Sequence, residues 1–216
     1  MRWFDIIRFQ EQEIQCLLDS IIVLANPDEK TPSHITLRGP YDEAPDSSAI
    51  ESNIVGSRVH IIGVGNFFNE GQNTVFLRCG SDYIKKYWWK PNFPFNPHIT
   101  LFDGQSIEFS QKLHSLLSRV KPYFQLTVGS LQTHRTVSGQ KSFDLLLNVD
   151  FELVSKFTGR EVDSSSIRKM PEWERLMIID RICNNLTWLV REPNTRNHNS
   201  FKLDNSPSST KAYVRL

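Results

Sequence analysis

The sequence has few cysteines, almost no net charge and no long hydrophobic run. Its 216 residues include three cysteines and no Cys-x-x-Cys pair, which argues against a disulfide framework or a zinc knuckle. A net charge of +1 gives no basic field for binding long duplex nucleic acid. No apolar stretch approaches the roughly 20 residues of a membrane span, and residues 1–9 lack the pattern of a secretory signal. We therefore expect a cytoplasmic monomer that has reduced thiols and does not associate with membranes.

One tetrapeptide, His-Ile-Thr-Leu, occurs twice, at residues 34–37 and 98–101. Each copy closely follows a proline, Pro32 or Pro97, and soon reaches a glycine. At about 5% per residue type, a chance second copy in a chain of this length is roughly a one-in-a-thousand event. The repetition therefore indicates that the two segments share a function.

Each copy would carry its polar side chains on one side of a strand. Residues two apart share a face, so His34 would lie beside Thr36, and His98 beside Thr100, with the isoleucines directed into a core. Two such strands facing each other across a cleft would surround one small anion with two imidazoles and two hydroxyls. Imidazoles can act as general base and general acid near neutral pH. This set suits cleavage of a phosphodiester without a metal or cofactor.

Hydrophobic periodicity and turn residues predict alternating strands and helices. Strands are expected at 3–9, 33–37, 58–68, 74–79, 98–102, 122–131 and 142–149, and helices at 10–24, 81–88, 106–120 and 171–189. The polar stretch 42–53 is predicted to be a loop. The order predicts an α+β class. Each half pairs a helix with a histidine-threonine strand, so we expect two similar lobes of antiparallel sheet and packed helices flanking a central active-site cleft.

The chain is expected to have three parts. A bilobal domain would span residues 1–150, an accessory helical segment 151–191, and a polar tail 192–216, the tail being rich in asparagine and serine.

The two His-x-Thr motifs, at residues 34–36 and 98–100 with a hairpin between them, resemble those of the two-histidine (2H) phosphoesterase superfamily. The superfamily includes RNA 2′,3′-cyclic phosphodiesterases and 2′–5′ RNA ligase-like proteins. The resemblance covers about residues 1–150 and implies an enzyme that acts on an RNA end or a small nucleotide. It implies that His34 and His98 are the base and the acid, in an order the sequence leaves open. Thr36 and Thr100 would then hydrogen-bond the phosphate oxygens.

Three neighbouring residues are candidates for substrate binding. Strict alternation places Arg38 on the face of His34, and Phe102 on the face of His98. Arg38 would then hold a phosphate through its fork of donors, and Tyr41 or Phe102 would stack on a base. The alternatives are a solvated charge for Arg38 and rim packing for the two aromatic rings. The aromatic cluster at 87–95 is either a base platform or, as we prefer, packing that fixes the entry to the second motif strand.

Three other functions stay open at this point. One is the reverse reaction, ligation of a 2′,3′-cyclic end to a 5′-hydroxyl. Another is hydrolysis of a cyclic oligonucleotide signal or an ADP-ribose cyclic phosphate. The third is a nucleotide- or RNA-binding module without turnover.

Overall fold

The computed structural model describes residues 2–29, 31–69, 72–90, 94–136 and 148–185. Its strands are β1 (Arg2–Phe9), β2 (Ile35–Tyr41), β3 (Arg58–Asn69), β4 (Gln72–Gly80), β5 (His98–Gly104) and β6 (Phe124–Thr136). Its helices are α1 (Gln12–Ala25), α2 (Ser48–Ile54), α3 (Asp82–Tyr87), α4 (Ile107–Val120), α5 (Phe151–Thr158), α6 (Ser164–Lys169) and α7 (Glu172–Asn185). The predicted α+β class is confirmed. None of the described helices is long and apolar enough to cross a membrane.

The six strands form one antiparallel sheet that closes on itself in the order β1-β2-β5-β4-β3-β6. The strands form two sets of three, β6-β1-β2 and β3-β4-β5, in which each strand pairs with the next. The two sets meet at two seams. Four residue pairs join β3 to β6, and a single pair, Ile35 with Ile99, joins β2 to β5. The arrangement of these sets as two lobes around a cleft stays a prediction.

The hydrophobic core lies between one face of the sheet and the helices. Strand residues such as Ile7, Ile35 and Leu77 share one cluster with α1 and α4. Burying each such side chain contributes about 1.5–3 kcal/mol. Thr36, His98 and Thr100 occupy the alternate positions of β2 and β5, and His34 directly precedes β2. The core therefore packs against the opposite face of both motif strands.

One expectation from the sequence needs correction, and another falls mostly outside the described residues. Residues 48–54, which overlap the predicted loop 42–53, form α2, whose apolar signal is only Ile50 and Ile54. A helix this short buries too little surface to give a clear periodicity. Of the predicted strand 142–149, only residues 148 and 149 are described, and they are not in a strand.

The region after residue 150 packs on the same core. Val154, Ile167 and Ile178 belong to the main cluster, and Arg175 donates to the carbonyl oxygens of Leu24 and Ala25 at 2.8 and 3.1 Å. The predicted helix at 171–189 is observed as α7, which ends at Asn185 among the described residues. The predicted tail 192–216 lies outside them.

Candidate active site

The two motif strands are neighbours in the sheet, and their register places the histidine of each motif opposite the threonine of the other. Because the strands are antiparallel and Ile35 pairs with Ile99, His34 comes opposite Thr100 and Thr36 opposite His98. Directly opposed residues have Cβ atoms about 4.5–5.5 Å apart. The two motifs therefore lie side by side where β2 meets β5.

Both imidazoles are oriented by the main chain in the same way. Nδ1 of His34 lies 2.8 Å from the carbonyl oxygen of Pro32, and Nδ1 of His98 lies 2.7 Å from that of Asn96. A carbonyl oxygen only accepts hydrogen bonds, so each Nδ1 carries the proton and donates it. In the neutral rings the lone pair is then on Nε2. At His34 this atom is 3.3 Å from Thr36 Oγ1, which donates to it.

Three of the four motif side chains line one cavity of about 340 Å³: His34, Thr36 and Thr100. His98 does not line it within the described structure. Its ring packs instead against Phe76, with ring centroids 4.8 Å apart, and against the edge of Phe67 at 5.6 Å. The cavity is at the small end of the range typical of small-molecule sites.

Burial favours the neutral form of both imidazoles. It is the main cause that lowers the pKa of His34 to about 4; the charges of Arg8, His98 and Lys90 contribute, and the hydrogen bond to Pro32 opposes them. Burial likewise lowers the pKa of His98, Lys90 adds to this, and the hydrogen bond to Asn96 opposes it. The effect of His98 on the pKa of His34 is consistent with one shared site.

The residue before the first motif is held from two sides. Ser33 is buried; its N–H donates to Asp19 Oδ1 at 2.7 Å, and its carbonyl oxygen accepts from Arg8 Nη1 at 3.0 Å. The second oxygen of Asp19 accepts from the N–H of Asn148 at 3.0 Å. Desolvation raises the pKa of this buried carboxyl, and these hydrogen bonds oppose the rise. Helix α1 thereby fixes where the first motif strand begins.

A β-bulge follows the threonine in both motifs. Ile6 pairs with Thr36 but Asp5 pairs with Arg38, and Phe76 pairs with Thr100 but Val75 pairs with Phe102. Two residues on the motif strand therefore oppose one on its neighbour, which interrupts the alternation of side chains. The interrupting residues are Leu37 and Leu101, at the same place in each copy.

These bulges overturn the expected placement of Arg38 and Phe102 beside the histidines. The Nε atom of Arg38 lies 3.0 Å from Asp5 Oδ2, and the guanidinium lies 5.3 Å from the ring centroid of Tyr41. Phe102 is buried in the core and packs on Phe109, although it borders the cavity.

Tyr41 lies outside the cavity lining. Its ring stacks on Trp89 with centroids 4.8 Å apart and planes 5° from parallel. Trp89 is also tied to β2 by its backbone: its N–H donates to Leu37 O at 3.4 Å, and the N–H of Gly39 donates to Trp89 O at 3.1 Å. Trp89 thus packs on Tyr41 beside β2 while 48% of its surface stays exposed. Both roles of the aromatic cluster at 87–95, packing and a base platform, stay predictions.

Sequence reasoning missed several charged residues of this site, among them Arg8, Glu29, Lys90 and Asp103. Lys90 lowers the pKa of both motif histidines, and the signal available was only its place at the end of an aromatic run. Asp103 lines the cavity and accepts from Thr74 Oγ1 at 3.1 Å. The shift at Leu101 gives it this position, and that shift has no signature in the sequence.

A larger groove, with a volume of about 890 Å³, lies along the same face of the sheet. Arg78 pairs with His98, and Gly80, further along β4, pairs with His60. Gly80 and His60 line this groove together with Tyr83 and Tyr123. Its floor is therefore continuous with the strand face that carries His98.

No group of three histidine, cysteine, aspartate or glutamate side chains in the described ranges is placed to hold a metal ion. No protein-family model matches the chain, and a search of curated proteins finds no match.

Proposed function

We propose that this protein is a phosphodiesterase that opens a 2′,3′-cyclic phosphate, or a related 2′-linked phosphodiester, in RNA or a small nucleotide. The observation that carries the proposal is the matched orientation of the two imidazoles. Hydrogen bonds of 2.8 and 2.7 Å to main-chain carbonyls fix both rings through Nδ1. Both Nε2 atoms then carry the lone pair that accepts a proton, in neighbouring strands. At His34 the hydroxyl of Thr36 donates to Nε2 in the free protein, and it would turn to the phosphate when substrate binds.

The reaction needs one base and one acid. Nε2 of one imidazole takes a proton from water as the water oxygen bonds to phosphorus. The bond from phosphorus to one ribose oxygen breaks, and the other imidazole gives its proton to that oxygen. One water is consumed, and the products are a phosphate monoester and a free hydroxyl. The two histidines end in exchanged protonation states, and proton exchange with solvent restores them.

The low histidine pKa values fit this cycle when the charge of the substrate is included. A phosphodiester anion beside an imidazole favours its protonated form. Binding of substrate is thus expected to raise the pKa of the histidine that serves as acid, while the base stays neutral. The hydroxyls of Thr36 and Thr100 would donate to the non-bridging oxygens, where negative charge increases in the transition state.

The experiment is product analysis of a short RNA that ends in a 2′,3′-cyclic phosphate, incubated with excess EDTA. We expect the wild type to form a single monophosphate isomer. His34→Ala and His98→Ala should each lose about 10²- to 10⁴-fold in rate, the contribution of general acid–base catalysis. His60→Ala is the matched control, because His60 is an exposed histidine on the same sheet face and outside both motifs.

Near-full activity of either motif variant would contradict the two-histidine mechanism. A wild type that binds the RNA without forming product would identify a binding module instead. Running 2′,3′-cyclic CMP in parallel separates small-nucleotide substrates from RNA-end substrates.

A further inference from the structure

A lysine within the aromatic cluster at 87–95 lies beside the proposed site. Lys90 follows Trp89, which is bonded to Leu37 and Gly39 at the end of the first motif strand. The segment thus occupies the seam where β2 and β5 share only one residue pair. Trp89 places its ring on Tyr41. Since successive side chains of an extended segment point to opposite sides, Lys90 is directed away from that stack.

The ammonium group of Lys90 contacts an aromatic ring and has no counter-charge among the described residues. Its Nζ lies 5.1 Å from the ring centroid of Trp88, and the side chain is partly buried. Within the described ranges, no carboxylate lies within ion-pair distance of it. Taking a charge out of water without a counter-charge is unfavourable, so this position is suited to an anion supplied from outside the chain.

From this position we propose that Lys90 binds the phosphate group of the substrate, completing a site formed with the two motif histidines and threonines. The inference rests on the proposed function and deepens it, because it assigns the counter-charge for the anion that the imidazoles act on. An ammonium group can approach any non-bridging oxygen as a point charge.

Electrostatics of the free protein support this location. Burial lowers the pKa of Lys90, and its positive charge lowers the pKa of both His34 and His98. One cation thus acts on both imidazoles. When a phosphate binds between them, its negative charge offsets Lys90 and permits one imidazole to take up a proton. The same lysine would thereby link binding of the anion to preparation of the acid.

The test compares Lys90→Met with Lys90→Arg and with Lys86→Met. Methionine keeps the stem against Trp88 and removes the charge, whereas arginine keeps the charge. Lys86 is the matched control: its Nζ also lies near an aromatic ring, 5.7 Å from the centroid of Tyr83, on the exposed surface of α3. Inhibition by inorganic phosphate and turnover of 2′,3′-cyclic CMP are measured for each, together with melting temperature and histidine titration by NMR.

We expect Lys90→Met to weaken phosphate inhibition and to lower kcat/KM by roughly 10²-fold, the scale of losing one charge-stabilising donor. Lys90→Arg should retain part of the phosphate inhibition and part of kcat/KM. Lys86→Met should match the wild type in both. The titrations of His34 and His98 should move to higher pH in Lys90→Met. Its melting temperature should equal or exceed that of the wild type, because an uncompensated charge has been removed.

Equal phosphate inhibition and equal histidine titrations in Lys90→Met and Lys86→Met would overturn the inference. A lower melting temperature with unchanged phosphate inhibition would assign the lysine to packing, and would also overturn it. A wild type that opens no cyclic phosphate would remove the proposed function. Phosphate binding and histidine titration still test Lys90 in that case, so the two failures are distinguishable.

Discussion

Arg38 and Phe102 occupy equivalent positions in the two copies of the motif. Each directly follows a bulged leucine and pairs with a fully buried residue of the neighbouring strand, Asp5 for Arg38 and Val75 for Phe102. One copy thus places an ion pair where the other places an apolar pair. The repeat is symmetric in its histidines and threonines and asymmetric directly after them.

Arg38→Met is expected to reduce stability and leave the affinity for substrate unchanged. The substitution leaves the carboxylate of Asp5 buried, with the hydroxyls of Ser47 and Thr133 as its remaining donors among the described residues. Breaking a buried ion pair costs roughly 3–5 kcal/mol. Urea denaturation measures the loss, and KM for the cyclic phosphate measures the affinity. The double variant Asp5→Leu with Arg38→Met removes both charges and should recover much of the stability. A raised KM in the single variant Arg38→Met would instead support the predicted role of Arg38 in substrate binding.

Thr36→Val and Thr100→Val are expected to lower kcat by roughly 10²- to 10³-fold, the scale of removing one transition-state donor. Valine has nearly the same shape as threonine, so the fold should be kept. Thr36→Ser and Thr100→Ser retain the hydroxyl and serve as controls. Steady-state kinetics on the cyclic substrate compare kcat and KM of the valine variants with those of the serine variants. If the valine variants change only KM, the hydroxyls bind substrate and transition state equally.

Asp19→Asn and Asp19→Ala should destabilise the protein, the alanine variant more than the asparagine variant. The two carboxylate oxygens accept from two different backbone N–H groups, of Ser33 and Asn148. Asparagine offers one acceptor oxygen and turns a donor toward the other N–H, and alanine offers none. Each buried donor left without a partner costs about 1–3 kcal/mol. Denaturation midpoints test the order; equal midpoints for both variants would contradict it.

Gly65→Ala is expected to lower activity and stability, whereas Gly80→Ala should be tolerated. A Cβ at Gly65 would overlap the ring of Phe76, which packs against His98. A Cβ at Gly80 would have its nearest neighbour at 3.8 Å, an ordinary contact. Forcing extra volume into a packed site typically costs about 1–3 kcal/mol. Thermal melts and initial rates provide the comparison, and equal behaviour of the two variants would show that Phe76 moves freely.

Stability is expected to fall as the pH drops below about 6.5, the ordinary histidine pKa. The pKa of His34 is lowered to about 4 by burial in the folded state. Between these values the unfolded chain binds more protons than the folded one, so the free energy of unfolding decreases with falling pH. Urea midpoints measured from neutral to mildly acidic pH give the loss. His34→Gln cannot titrate and should show a shallower loss; an identical slope would place the effect elsewhere.

The sequence was sufficient to predict the two motif strands and the shared face of His34 with Thr36 and of His98 with Thr100. The sequence was insufficient to predict the faces on which Arg38 and Phe102 lie. Each follows a β-bulge, which depends on pairing with a neighbouring strand and has no signature in the sequence of the bulged strand. Lys90 was missed for a similar reason. Its position depends on hydrogen bonds between Trp89 and β2, which join segments that are far apart in the sequence. Helix α2 was missed because two apolar residues do not establish a period.

The acceptors that orient the imidazoles are main-chain atoms of Pro32 and Asn96. No single substitution can delete a carbonyl oxygen. The tautomer of each ring is therefore set by the path of the main chain and not by another side chain. If every residue of this protein were substituted in turn, no substitution would remove the group that orients either ring. In a catalytic triad, by contrast, replacing the acid removes that group. Substitutions at positions 32 and 96 that keep the course of the main chain therefore leave Nε2 of both rings available for chemistry.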